Sequence, residues 1–212
     1  MTAPPLWLLM PVKPPHRAKS RLRGLTGLRG SHEELVLAMA ADTLAAALDA
    51  PGVAGVVAVT GDPVAARTLA ALGARTFCTE RHGSGLNAAL DAAAARLRDR
   101  DAEVSLGVLP ADLPALRSAE LGAAIAHAGG RRGFCTDIAG TGTTLLLAGR
   151  GPLEPSYGPD SARRHARSAT ELRGPWPSVR ADVDTPASWL LAAGLGLGPR
   201  SAALARPGLV ST

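Results

Sequence analysis

Short apolar runs alternate with stretches of helical spacing along almost the whole chain, and that alternation leaves few folds open to it. Leu6–Val12, Val53–Thr60, Ala74–Thr79, Val104–Leu109, Gly133–Ile138, Thr143–Ala148 and Val179–Val183 read as strands. Between them the spacing predicts helices. One opens at Ser31, with Glu34 three residues on in the capping-box pattern and Leu35, Ala38, Met39 and Leu44 along one side. Others follow Gly61-Asp62-Pro63, span Leu86–Leu97 after Gly83-Ser84-Gly85, span Ser118–Ala128, and open at Thr185-Pro186 with proline in the first turn. Strands joined through helices need crossover connections, so the expectation is an α/β fold: a mainly parallel, twisted sheet with helices on both faces. Only Gly133–Ile138 and Thr143–Ala148 lie close enough to form a hairpin, which predicts one antiparallel element. With 212 residues, 46% of them hydrophobic, the chain can bury one sizeable core. We read residues 1–193 as a single domain and 194–212, rich in Gly, Pro and Ala, as a loosely held tail.

Several function classes are disfavoured at once. No run approaches the ~20 apolar residues of a membrane helix, and Leu6–Val12 has neither the charged flank nor the cleavage site of a signal peptide. Cys78 and Cys135 sit singly inside apolar runs without CxxC spacing, which fits a reducing cytoplasm and not a zinc site. The net charge is +5, but it is local: residues 1–30 carry Lys13, Arg17, Lys19, Arg21, Arg23 and Arg29 and no acid. The chain's six aromatic residues are Trp7, Phe77, Phe134, Tyr157, Trp176 and Trp189, and none interleaves with the Lys13–Arg29 basic run. That argues for a local phosphate site and against a nucleic-acid track. Of 23 basic residues only Lys13 and Lys19 are lysines, and both fall in the loop after the first strand.

In an open parallel sheet, ligands bind at the carboxyl ends of strands. That edge is expected to gather Lys13, Lys19 and Arg21, then Gly83 to Asn87, Asp112, and Asp182 with Asp184. Acids from distant strands facing a basic loop suit a magnesium-bridged nucleoside triphosphate, although a turn or cap accounts for any single acid taken alone. The loop lacks the glycines of a phosphate-binding loop, so phosphate contacts there must come from side chains. Gly140-Thr141-Gly142-Thr143-Thr144 and Tyr157-Gly158-Pro159-Asp160-Ser161 combine glycines, hydroxyls and a helix start, a pattern suited to an anion. Arg163, Arg164 and His165 follow on that helix, facing either solvent or an acidic substrate.

Six blocks, in order over about residues 11–186, resemble the guanylyltransferases of coenzyme F420 biosynthesis. They are Pro11-Val12-Lys13 with Ala18-Lys19-Ser20-Arg21-Leu22, Gly85-Leu86-Asn87, Ala111-Asp112-Leu113-Pro114, Gly142-Thr143-Thr144, Tyr157-Gly158-Pro159-Asp160-Ser161 with Arg164-His165, and Asp182-Val183-Asp184-Thr185-Pro186. The resemblance implies a nucleotidyltransferase fold and transfer of GMP from GTP to phosphoenolpyruvate or 2-phospho-L-lactate. It implies Mg2+ on Asp112 with Asp182 and Asp184, the triphosphate on Lys13, Lys19 and Arg21, and the nucleoside near Gly85, Leu86 and Asn87. Thr143, Gly158 and Ser161 would hold the phospho-acid, and the product would pass to the next pathway enzyme. Asp160, where the family carries a small residue, is expected to turn away and cap the helix. Trp189 stands where the family carries an acid or Leu. Another acceptor, molybdopterin or a sugar phosphate, or a non-catalytic nucleotide sensor, are the alternatives.

Overall fold

A computed structural model of the chain describes residues 5–23, 29–78 and 85–205. Seven strands form one sheet: β1 (Leu6–Pro11), β2 (Val53–Thr60), β3 (Arg75–Cys78), β4 (Ser105–Val108), β5 (Gly133–Thr136), β6 (Thr143–Gly149) and β7 (Thr170–Glu171), in the order β3-β2-β1-β4-β6-β5-β7. Pairing is parallel between β1 and β2, β1 and β4, β2 and β3, and β5 and β7, while β6 runs antiparallel to both β4 and β5. The expected single antiparallel element is therefore β6. Its direction matters: because it runs backwards, its first residue, Thr143, lies at the same edge as the ends of β1, β4 and β5.

The helices are α1 (His32–Leu48), α2 (Pro63–Ala70), α3 (Gly85–Arg98), α4 (Ser118–Ala128), α5 (Ser161–His165), α6 (Pro177–Arg180), α7 (Pro186–Leu195) and α8 (Pro199–Leu204). Ser31 closes the capping box expected of it, accepting from the Glu34 N–H at 3.1 Å while the Glu34 carboxylate accepts from the Ser31 N–H at 2.6 Å. The period-2 alternation of the strands divides the core. Leu8, Met10, Val56 and Ala58 pack with Ala40, Leu44, Leu69 and Leu121 of α1, α2 and α4. Leu9, Val57, Val59 and Val108 face the other way, onto Leu90, Ala93 and Ala94 of α3 and Ala162 of α5. A third cluster, Ala18, Leu22, Leu35, Met39, Val183 and Trp189 among others, locks the loop after β1 against α1 and α7. Trp189 is fully buried there, so at this position the chain uses bulk to anchor α7. No helix among the described residues is long and apolar enough to cross a membrane.

Two expectations are corrected. Val179–Val183 is not a strand: Pro177 starts α6, whose Ser178 N–H and hydroxyl donate to Glu120 at 2.8 and 2.7 Å, and the seventh strand is the two-residue β7 instead. The chain after Gly194 is not loose up to Ala205. Asp42, a carboxylate buried on α1, accepts from the first backbone N–H groups of α8, Arg200 at 3.1 Å and Ser201 at 2.7 Å, and the Arg29 N–H donates to the Leu204 carbonyl at 2.8 Å. A buried carboxylate needs such donors, and α8 supplies them. Residues 206–212 lie outside the described residues, as do Gly83 and Ser84 of the turn read before α3.

Candidate active site

Strand order reverses between β1 and β4: the chain winds outward from β1 to β2 and β3, then returns to place β4 on the other side of β1. A crevice is forced open at such a point, outside the strand ends. Here it is a cavity of about 350 Å3 lined by Lys13 and Lys19 after β1, Asp112 after β4, Thr143 at the start of β6, Gly158 and Ser161 at α5, and Asp182 and Asp184 before α7. Lys13 and Leu86 also line an adjoining groove of about 220 Å3 that runs past Thr60, Gly61 and Gly85. A hollow of about 860 Å3 between the β3 edge and α3 is larger but is walled mainly by alanines and arginines, with no convergent acids and hydroxyls.

The acids reach the cavity by different routes. Asp112 leaves β4 directly and caps no helix, since α4 begins only at Ser118. Asp182 and Asp184 follow no strand; the Val183 N–H between them donates to the Asp112 carbonyl at 2.9 Å and so hooks the segment to the β4 exit. Lys19 sits in the left-handed region (φ 52°), and its ammonium donates to both Asp112 and Asp184. Burial alone would lower its pKa, but attraction to those two carboxylates and the hydrogen bonds with them outweigh it and raise it. Asp182 is pushed up to about 7 by burial and then by the charges of Asp112, Asp184 and Asp137, only partly offset by Lys19. Asp137 lines the cavity and was not singled out from sequence. It shapes the β5–β6 turn, accepting from the Thr141 N–H at 2.8 Å, and a Cβ on Gly142 would fall 2.5 Å from its Oδ2.

The far wall is a hydrogen-bonded network. His165 is buried, not facing solvent; its Nδ1 lies 2.9 Å from Thr143 Oγ1 and its Nε2 accepts from the Ser156 N–H at 2.9 Å. Burial, then the charges of Arg132 and Arg164, lower its pKa to about 4, so the ring is neutral near pH 7. Arg164 Nε donates to the Ser156 carbonyl at 2.9 Å, and Gly158 adopts φ 127° where a Cβ would crowd Arg164 Nη2 at 3.1 Å. Ser161 is buried as the first residue of α5. Asp160, expected to cap that helix, is exposed, left-handed and makes no capping bond. The Ala162 N–H, in the first turn of this five-residue helix, is taken by the Thr141 carbonyl at 3.0 Å.

Two residues sit otherwise than expected. Asn87 binds the Tyr157 backbone at both ends of its amide, accepting from the N–H at 2.8 Å and donating to the carbonyl at 3.1 Å, so it braces the Tyr157–Ser161 loop while Gly85 and Leu86 line the groove. Arg21 is exposed on the 3-10 turn Ser20–Leu22 and lines neither cavity. Neither fact is legible from spacing, because both depend on which atoms of distant segments meet.

The chain is similar in sequence and in fold to known proteins. Residues 20–181 match the model of the MobA-like NTP transferase domain. The chain is 47% identical over 211 residues to the phosphoenolpyruvate guanylyltransferase of Geodermatophilus obscurus, covering 96% of both chains. It is 51% identical to that of Streptomyces scabiei, covering 93% of this chain and 94% of the other. The chain belongs to the phosphoenolpyruvate guanylyltransferase family. Its fold is also that of 4-diphosphocytidyl-2C-methyl-D-erythritol synthase, at 14% identity and a TM-score of 0.61 over 91% of this chain and 98% of the other. Membership in the family accords with the resemblance read from the six sequence blocks, and the nucleotidyltransferase fold with the mainly parallel sheet expected from the alternation of apolar runs and helical spacing.

Proposed function

We propose that this chain transfers GMP from GTP to the phosphate of phosphoenolpyruvate, releasing pyrophosphate, and that the product serves coenzyme F420 assembly in the cytoplasm. One observation carries the reading: cations, carboxylates and hydroxyls from six separate segments line a single cavity at the strand-order reversal, in a chain whose relatives bear this activity in their names. An oxygen of the acceptor phosphate attacks the α-phosphorus of GTP, the bond from that phosphorus to the β-bridging oxygen breaks, and pyrophosphate leaves with the electron pair. The attacking oxygen is already ionised, so no general base is needed and the protein's part is positioning and charge neutralisation.

A divalent cation, Mg2+ by preference, fits these residues. Asp112 Oδ1 is buried without a hydrogen-bond partner, and Asp182 is pushed up to about 7 by burial and then by neighbouring negative charge. Among the described residues no three acidic, histidine or cysteine side chains close a metal site by themselves. The expected Asp112, Asp182 and Asp184 set is therefore incomplete alone, as suits an ion that favours one or two carboxylates completed by phosphate and water. Asp112 and Asp184 would hold it; when bound it supplies positive charge shared by the α-phosphate and the acceptor. Lys13 stands at the junction of groove and cavity, where the triphosphate would cross, with Lys19 on the cavity wall, whereas Arg21 lies outside both and would reach the phosphates only from the solvent side. Thr143, Gly158 and Ser161 seat the acceptor.

Pyrophosphate release is the test, with Mg2+ and GTP, comparing phosphoenolpyruvate with 2-phospho-L-lactate. Release that requires phosphoenolpyruvate and falls at least about 1000-fold in Asp112→Asn, with the unfolding temperature held, is expected. Equal or greater release with 2-phospho-L-lactate would reassign the acceptor, and none with either would sink the transfer.

A further inference from the structure

We propose that His165 is a positioning residue that fixes the Thr143 hydroxyl as a hydrogen-bond donor toward the anionic acceptor. This rests on the reading of the Thr143 cavity as the acceptor's seat.

The argument is one of polarity. A backbone N–H can only donate, so the 2.9 Å contact from Ser156 makes His165 Nε2 an acceptor. A neutral imidazole carries one proton, which is then on Nδ1, and the 2.9 Å contact to Thr143 Oγ1 is a bond the ring donates. One lone pair of the hydroxyl is thereby occupied and its proton cannot turn back to the ring. Thr143 is buried at the cavity wall, so that proton is left for whatever anionic oxygen enters. Without the ring nitrogen the hydroxyl could rotate and present a lone pair to a phosphate or carboxylate oxygen, which repels.

A histidine kept only for packing would look different. The ring does pack, edge-on to Tyr157 at 5.1 Å and tilted to Phe134 at 6.2 Å, and a phenylalanine would serve for that. Two hydrogen bonds of opposite sense, one to the backbone of the segment that leads into Gly158 and one to the first residue of β6, are what packing does not need. They hold two walls of the acceptor site in one relation.

A double-mutant cycle of Thr143→Val and His165→Phe, read as KM for phosphoenolpyruvate, KM for GTP and kcat, tests the proposal. Each single variant is expected to raise KM for phosphoenolpyruvate about 10-fold, the size of one hydrogen bond to a charged group, with KM for GTP unmoved. The double variant should be no worse than Thr143→Val alone, because both remove the same interaction. His165→Asn, whose amide can donate from nearly the Nδ1 position, should recover most of what His165→Phe loses, and it carries the test if the phenylalanine variant does not fold. Full multiplication of the two effects, an unchanged KM in His165→Phe, or an Asn variant as poor as the Phe variant overturns the positioning role while leaving the acceptor site in place. An unchanged KM in Thr143→Val overturns the site reading and this proposal together.

Discussion

On the β1 side of the cavity Lys13 and Arg21 stand exposed, and the lysine that is tied down, Lys19, is held by acids from distant segments. On the β6 side hydrogen bonds of 2.9 Å join Thr143, His165, Ser156 and Arg164, and the next residue along the chain from Ser156, Tyr157, is held by Asn87 at 2.8 and 3.1 Å. The two sides answer different demands. A triphosphate carries enough charge to gather mobile cations around itself, whereas a three-carbon phospho-acid offers few atoms, so its seat must be set before it arrives. On the proposed reading the acceptor half is preorganised and the phosphate half is completed by the nucleotide.

Lys19→Met gives the largest effect that would break the contrast. Among the described residues the ammonium is the one positive charge bonded to both Asp112 and Asp184, and without it the two carboxylates repel each other as the nucleotide binds. A fall of about 100-fold in kcat/KM for GTP is expected, in the range for removing one charged group from a phosphoryl-transfer site, with the unfolding temperature little changed. Steady-state kinetics beside a thermal melt decides it. A loss within threefold would mean that the β1 side is as preorganised as the other and does not depend on this cation.

A smaller effect is expected from Asn87→Ala, and it falls on the opposite substrate. The family resemblance implied that Asn87 lies beside the nucleoside, but its amide grips the Tyr157 backbone on both sides. Removing it should raise KM for phosphoenolpyruvate about 5- to 10-fold and leave KM for GTP within twofold, since two neutral hydrogen bonds hold the loop, not the nucleotide. The reverse split would return Asn87 to the nucleotide and leave the Tyr157 loop braced by Arg164 and His165 alone.

That contrast also explains how much could be read beforehand. Apolar alternation is a local signal, and it located β1 to β6 and the helices that cover them. The edge position of Lys13, Lys19, Asp112 and Thr143 follows from parallel topology plus one hairpin, and both were visible. Val179–Val183 misled because Val, Arg, Ala, Asp and Val alternate as a strand would, while the Glu120 contacts that favour α6 come from a helix far away in sequence. β7 is two residues long, too short for any periodicity. His165 could be noticed but not placed: five residues beyond Asp160 on a short helix, its burial depends on Thr143 and Ser156 meeting it. Asp42 was hidden for the same reason, an acid on α1 whose partners are backbone N–H groups of α8.

The smallest effect concerns the acceptor wall's own stability against acid. His165 has a pKa near 4 in the folded chain against about 6.5 when unfolded, so between those values the unfolded state binds a proton that the folded state refuses. Stability from this group is thus complete above the unfolded value and is lost as pH falls through the folded one. Lowering the pH from 7 to 5.5 should cost about 1 kcal/mol from His165, because protonating Nε2 would bury a charge, place it near Arg132 and Arg164, and set an N–H against the Ser156 N–H. Denaturant melts of wild type and His165→Phe at the two pH values isolate it, the variant lacking that part of the slope. Equal slopes would mean that Nε2 is open to protonation in the folded state, and with it the fixed sense of the Thr143 hydrogen bond would go.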